Sequence, residues 1–233
     1  MKVAIMQPYV FPYIGYFQLI DAVDLFVIYD DVQYIKKGWI NRNRILLNGK
    51  EHLFTIPCIK ASQSKLINEI GVDWSSKDIS GFCKTIEAAY RKAPFFEEIN
   101  TLLHAVLNKR PESIADLATA GITSICDYLN IKTELKRSSQ CDFQNVDLKK
   151  GDRLIDIVKK TGGSDYINAI GGRELYTKED FAQQGINLNF LKSLPVVYQQ
   201  FNNDFVPWLS ILDVLMFNSK ENIAEYLKQY ELL

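Results

Sequence analysis

The chain has 233 residues, 47% of them hydrophobic and 24% charged, with a net charge of −1. This is the balance of a globular protein with a sizeable core, and it supplies neither the positive field of a nucleic-acid binder nor an acidic disordered tail. No run of about 18 apolar residues is present, which argues against a spanning helix, and Gln7, Pro8 and Pro12 interrupt the first apolar stretch where a secretory signal would continue. A soluble, cytoplasmic chain is expected.

In chain order, Val3–Met6 (VAIM) reads as a short buried strand. Residues 14–23 carry apolar side chains at positions 14, 17, 19, 20 and 23, the spacing of a helix. Asp24–Asp30 (DLFVIYD) is a continuous apolar run bounded by aspartates, the pattern of a parallel strand covered on both faces. Strand, loop, helix and strand make a βαβ unit with a right-handed crossover. Asn48 and Gly49, set between two β-rich runs, predict a hairpin over residues 44–57. Residues 67–74 predict a strand. A helical segment over about 75–131 follows: one helix from Ser75, one after Pro94, and one opened by Pro111. Residues 133–139 predict a strand, 152–163 a helix ended by Gly162 and Gly163, and 165–170 a strand running into Gly171 and Gly172. Residues 186–194 predict another strand, and residues 209–230 a helical stretch with a break near Asn218. The fold class is α/β: one Rossmann-like domain over 1–233, with a mostly parallel sheet and a helical insert.

The four cysteines, Cys58, Cys83, Cys126 and Cys141, form no C-x-x-C pair, and His52 and His104 are far apart. Reduced thiols are expected rather than a zinc site, and two histidines leave little basis for a His-dependent triad.

In an open α/β sheet, ligands bind beyond the carboxyl ends of the strands. The loop after the first strand carries two prolines, a glycine and five aromatics, and the loop after the second begins at Asp30-Asp31 and runs through KKGWINRNR. On one sheet edge they would bring together Gln7, Pro8, Pro12, Gly15, Asp30, Asp31, Gln33, Lys36, Lys37, Trp39, Asn41, Arg42, Asn43 and Arg44. Arginines suit phosphate or carboxylate, aromatic faces suit rings, and a glycine at a helix start admits a phosphate. Asp30 and Asp31 either bind Mg²⁺, act as a base or end the strand. Gly172 either completes the cleft or serves a structural turn. Ser210 and Asp213, three apart on a helix face, read as capping or hydrogen-bonding groups, because no G-x-S-x-G elbow accompanies them.

Long stretches of the chain resemble the WbqC-like protein family: QPYVFPYIGYFQLI, DDVQYIKKGWINRNRI, IGGRELY, GINLNF and PWLSILDVL. Gln7, Pro8, Phe11, Pro12, Gly15, Tyr16, Asp31, Gln33, Trp39, Asn41, Arg42 and Ile45 match the family pattern. The resemblance implies a part in bacterial surface-polysaccharide (O-antigen, lipopolysaccharide) biosynthesis, with transfer of glycine or a related acyl group to the amine of a nucleotide-linked amino sugar. The opening unit is also similar to nucleotidyltransferase and pantothenate-synthetase-like folds. Phe11–Tyr16 occupies the place of their HxGH-type turn, with the glycine kept and both histidines absent. The expectation is a transferase, with ATP and Mg²⁺ as candidate cofactors. Asp31, Lys37 and Arg42 are its catalytic candidates; Gln7, Phe11, Pro12, Gly15, Tyr16, Asp30, Gln33, Trp39, Asn41, Arg44 and Gly172 are substrate-binding candidates. The alternative is a non-catalytic nucleotide-sugar binding or assembly protein. Neither reading involves nucleic acid.

Overall fold

Successive residues of the first strand enter different cores, and that alternation sets the architecture. The computed structural model describes residues 1–233. In β1 (Lys2–Met6), Val3 and Ile5 join one apolar cluster and Ala4 the other. In β2 (Leu25–Ile28), Leu25 and Val27 face one way, Phe26 and Ile28 the opposite way. A strand apolar on both faces has to be covered on both. Between these strands runs α1 (Ile14–Asp21), all but its last residue buried.

The chain then leaves the sheet. β3 (Arg42–Leu47) and β4 (Lys50–Thr55) form an antiparallel hairpin, and Asn48 (φ 53°) and Gly49 (φ 72°) both adopt the left-handed backbone of a type I′ turn. β5 (Cys58–Ile59) pairs with β6 (Gly71–Val72). The strand predicted over 67–74 is therefore two residues long, because Ile67–Glu69 turn as a 3₁₀ helix instead. Three helices follow, α2 (Lys77–Tyr90), α3 (Phe96–Asn108) and α4 (Ile114–Tyr128). α4 starts after Ser113, whose capping box with Asp116 satisfies two end groups at once, and not at Pro111.

The sheet resumes with β7 (Glu134–Arg137), then α5 (Lys150–Lys160), β8 (Asp165–Ala169), α6 (Lys178–Ala182) and β9 (Asn187–Ser193). α7 (Ile211–Phe217) and α8 (Lys220–Leu227) are separated at Asn218, as the sequence predicts, with Ser219 capping the second. β10 (Tyr230–Leu232) closes the chain, an edge strand that three residues of pattern could not announce.

The six-stranded sheet runs in the order β10-β9-β8-β1-β2-β7, parallel except for β10. The fold is thus mixed α/β with a mostly parallel central sheet and eight α-helices. One face packs α5 and α6 in a cluster of 13 buried residues; the other packs α1, α2–α4, α7 and α8 in a cluster of 47. Strand order reverses between β1 and β8, so the loops after these two strands part at a crevice on the carboxyl edge.

Candidate functional site

The loop after β1 is pinned from two sides. Asn43 of β3 donates its side-chain amide to the carbonyl of Phe11 (2.8 Å), and the Ser210 hydroxyl donates to the same oxygen (2.6 Å). The Ile211 amide reaches the Pro12 carbonyl (2.8 Å), and the Ser210 amide reaches the Arg44 carbonyl (2.7 Å). Phe11 itself is held at φ 44°, its ring buried beside Phe82 and Gly121. A left-handed bulky residue persists only where its surroundings over-determine it, and here three hydrogen bonds to the Phe11 and Pro12 carbonyls do so.

This anchoring sets Tyr9, Pro12 and Tyr13 opposite Trp39, Asn43, Arg44 and Trp208 around a chamber of about 220 Å³. Trp39 is 40% exposed and Trp208 50%, unusual values for indoles with no further role. The Arg44 guanidinium lies 5.1 Å from the Trp39 ring centre and Arg42 5.8 Å from it, both within cation–π range. Arg44 pairs with Glu51 at 2.8 Å, a half-exposed contact worth little in water, and its Nε–H is buried with no acceptor. It is a cation held in place with donor capacity in reserve. Burial raises the Tyr9 and Tyr13 phenols above their ordinary value, so both are neutral donors in this wall.

A second chamber of about 300 Å³ adjoins the first and shares Tyr13 and Trp208 with it. These two rings meet edge-on at 6.2 Å and partition the cleft. Ten of its twelve lining residues are hydrophobic, most from the strap between β9 and α7. The strap is fastened by Asp213, fully buried, whose carboxylate accepts from Tyr198 (2.6 Å), Gln200 (2.7 Å) and Tyr90 (2.7 Å). Burial raises this carboxyl above the usual range against the pull of its three donors. Ser210 caps α7 through the Leu212 amide, so the pair serves the hydrogen-bonding role read from the sequence.

The acidic pair lies elsewhere on the same edge. Asp30 is 0% exposed and accepts from Arg137 Nε (2.8 Å) and Nη2 (2.6 Å), the Ser138 hydroxyl (3.1 Å), and the Ser139 amide (3.0 Å) and hydroxyl (2.7 Å). Asp31 accepts from Arg153 (2.5 Å) and shares the single Ser138 hydroxyl proton with Asp30, at the shorter distance of 2.5 Å, and Arg153 in turn stacks on Tyr29 at 4.9 Å. Asp116 joins through Arg137 (2.5 Å); burial alone would raise its carboxyl, but bonds from Ser113 and Arg137 outweigh that and bring it below the ordinary value. Each of Asp30 and Asp31 is thus engaged by an arginine and serine hydroxyls, a donor set suited to tying β2 to β7 and α5. It does not fit Mg²⁺, which would have to displace a guanidinium.

The predicted site residues therefore separate. Pro12, Trp39 and Arg44 line a chamber. Phe11 and Tyr16 are core residues, and the Tyr16 hydroxyl donates to the Gln7 carbonyl (2.9 Å). Gly15 makes room for a ring and not for a phosphate: a Cβ there would sit 2.3–2.8 Å from atoms of the Tyr13 side chain. Gly172 likewise leaves space for Asn168, 2.4 Å from such a Cβ. Asn41 is spent on the Tyr34 hydroxyl (2.7 Å) and the Ile56 carbonyl (2.9 Å). Arg42 holds its own loop through the carbonyls of Gly38 (2.9 Å) and Lys37, whose backbone is left-handed at φ 61°. Lys37 and Gln33 are exposed and line neither chamber. Tyr9, Tyr13 and Asn43 sit in the two loops that drew attention in the sequence. Trp208 arrives from more than 160 residues further on, and its sequence signal is its place in the family-like stretch PWLSILDVL.

The sequence model of the WbqC-like protein family matches residues 7–225. The chain belongs to the WbqC-like family. A Mycobacterium tuberculosis (strain ATCC 25618 / H37Rv) protein, Rv1507c, itself described as uncharacterized, is 32% identical over 233 residues and is covered, like this chain, to 97%. No solved structure matches the chain. The match takes in both WbqC-like loops that build the arginine chamber and the strap and helix that close it. No helix of this WbqC-like chain is long and apolar enough to cross a membrane.

Proposed function

We propose that this WbqC-like protein binds a nucleotide-linked amino sugar of bacterial surface-polysaccharide (O-antigen) biosynthesis in the Trp39–Arg44 chamber, and that an acyl group is transferred there to the sugar's amine. The observation that carries the reading is the pairing of a fixed guanidinium with four aromatic side chains, Tyr9, Tyr13, Trp39 and Trp208, around one chamber. Arg44 would exchange its weak partner Glu51 for phosphate, which a guanidinium meets with two parallel hydrogen bonds. The aromatic faces would take the flat or hydroxylated ring beside it. Family membership is compatible with a polysaccharide role. The strand order supports a Rossmann-like reading: the five parallel strands, numbered along the chain, lie 3-2-1-4-5.

The chain's contribution to transfer is binding and orientation of acceptor and donor, which can remove a large part of a bimolecular barrier. No carboxylate or histidine lines either chamber. That same absence favours a second reading, in which the protein holds the nucleotide sugar without transforming it.

The test is calorimetric binding of UDP- and dTDP-linked amino sugars, each with and without ATP, to the parent and to Arg44→Gln. A charge-assisted pair is worth about 1.5–3 kcal/mol, so the variant should bind roughly 10- to 150-fold more weakly. Equal affinity in the two proteins, or no binding by any nucleotide sugar, refutes the assignment. Binding without product in the presence of acyl donors selects the holder.

A further inference from the structure

The apolar chamber presents no charged side chain to a phosphate, and its lining is specific enough to name an occupant. Its lining side chains offer only three polar groups: the hydroxyls of Tyr13 and Tyr198 and the indole N–H of Trp208. The Tyr198 hydroxyl is spent on Asp213 at 2.6 Å. An ammonium placed here would find no carboxylate, and a nucleobase edge would leave most of its donors and acceptors unpaired, each at a desolvation penalty. A hydrocarbon group meets no such penalty.

The chamber is also held in shape. Asp213 fixes the strap through Tyr198 and Gln200, and the Gln200 side chain in turn holds the backbone of Val206, accepting from its amide at 2.7 Å and donating to its carbonyl at 3.1 Å. Trp208 completes the wall with its backbone at φ 60°, a left-handed state that bulky residues rarely adopt and that clusters at ligand sites. Its ring meets Tyr13 at the boundary with the arginine chamber. An anion and a hydrocarbon group of one ligand can therefore lie on the two sides of this aromatic pair.

We propose that the chamber walled by Leu194, Val196, Val197, Phe205 and Leu209 is a subsite for an unsubstituted aliphatic acyl chain, while the ligand's anionic group lies against Arg44. This deepens the reading of the preceding section and rests on it for the sugar: the acyl group is aliphatic rather than glycyl, whether it is being delivered or is already on the sugar.

The experiment uses probes that contain no sugar. A ladder of n-alkyl phosphates from ethyl to octyl is titrated into the full chain by calorimetry. Affinity should rise about fourfold per methylene until the chamber is full, the increment expected for burying one methylene, and then level off. Arg44→Gln should weaken every member by a common factor and leave the slope unchanged. Leu194→Trp, at a half-buried lining position, should bring the plateau to shorter chains. Val197→Asn, at a side chain 66% exposed and so tolerant of exchange, should reduce the slope without lowering the melting temperature. A flat ladder in the parent overturns the proposal, and so does a slope indifferent to both chamber variants. If Arg44→Gln leaves all affinities unchanged, the placement of the anion is wrong. Because sugars are absent, a rising ladder alongside failed nucleotide-sugar binding refutes the sugar and not the acyl subsite, and the converse result does the reverse.

Discussion

Asp30 offers the sharpest division between a structural and a chemical role. Asp30→Ala removes a fully buried carboxylate from five donors. Not all of them are stranded: Arg137 keeps Asp116 at 2.5 Å, and the Ser138 hydroxyl keeps Asp31 at 2.5 Å. The Ser139 amide loses its acceptor. Breaking a buried ion pair by deleting one partner costs about 3–5 kcal/mol, and the surviving bonds place this case near the lower end, at about 3 kcal/mol. For a chain of this length each kcal/mol shifts the melting temperature by about 2–4 °C, so the midpoint should fall by roughly 6–12 °C. Thermal and urea unfolding of Asp30→Ala, Arg137→Ala and the double variant measure both the loss and the coupling. The double variant should lose clearly less than the sum of the two singles, since their contact is direct. A midpoint within about 2 °C of the parent, combined with abolished ligand turnover, would refute the structural role and return Asp30 to the chemistry.

Gly15→Ala should displace the Tyr13 ring and weaken nucleotide-sugar binding, and adding Tyr13→Ala should relieve the stability loss without restoring affinity; an unchanged melting temperature for Gly15→Ala alone contradicts the packing. Asp213 has its carboxyl raised in the folded state, so folding takes up protons in the window between the ordinary carboxylate value and the raised one, and its share of stability falls as pH rises through that window. Asp213→Asn should remove this slope from a stability-versus-pH series, and an identical slope in both proteins would reject the assignment. Asp116 has the opposite sign: its carboxyl is lowered, so its contribution is lost as pH falls below the ordinary value toward the folded one, and Asp116→Asn should flatten that acid limb. Asn41→Ala leaves the Tyr34 hydroxyl and Ile56 carbonyl without their partner and should cost about 1–3 kcal/mol in urea unfolding while leaving both chambers intact.

Much of the fold was legible because period and punctuation are local. DLFVIYD announced a strand covered on both faces, Asn48 and Gly49 announced the hairpin, and the break at Asn218 announced two helices where one pattern ran through. The site was legible only as a region. Two loops rich in aromatics and arginines stand out in the sequence, and they supply Pro12, Trp39 and Arg44 to one chamber. Which of the others line a chamber depended on contacts that no spacing encodes. Tyr16 is drawn inward to the Gln7 carbonyl. Gly15 serves the Tyr13 ring. Trp208 is brought across by the pairing of Ser210 with Phe11 and Arg44.

The carboxylates show the same division. That Asp30 and Asp31 follow a buried strand at the carboxyl edge of an α/β sheet could be read locally, because apolar runs and their charged boundaries are properties of neighbouring residues. Only the tertiary structure decided that Arg137, more than 100 positions away, would meet the first and Arg153 the second. A carboxylate's role depends on the charge and hydrogen-bond donors around it, and in a parallel sheet the strands and helices supplying them are brought alongside by crossovers rather than by nearness in the chain.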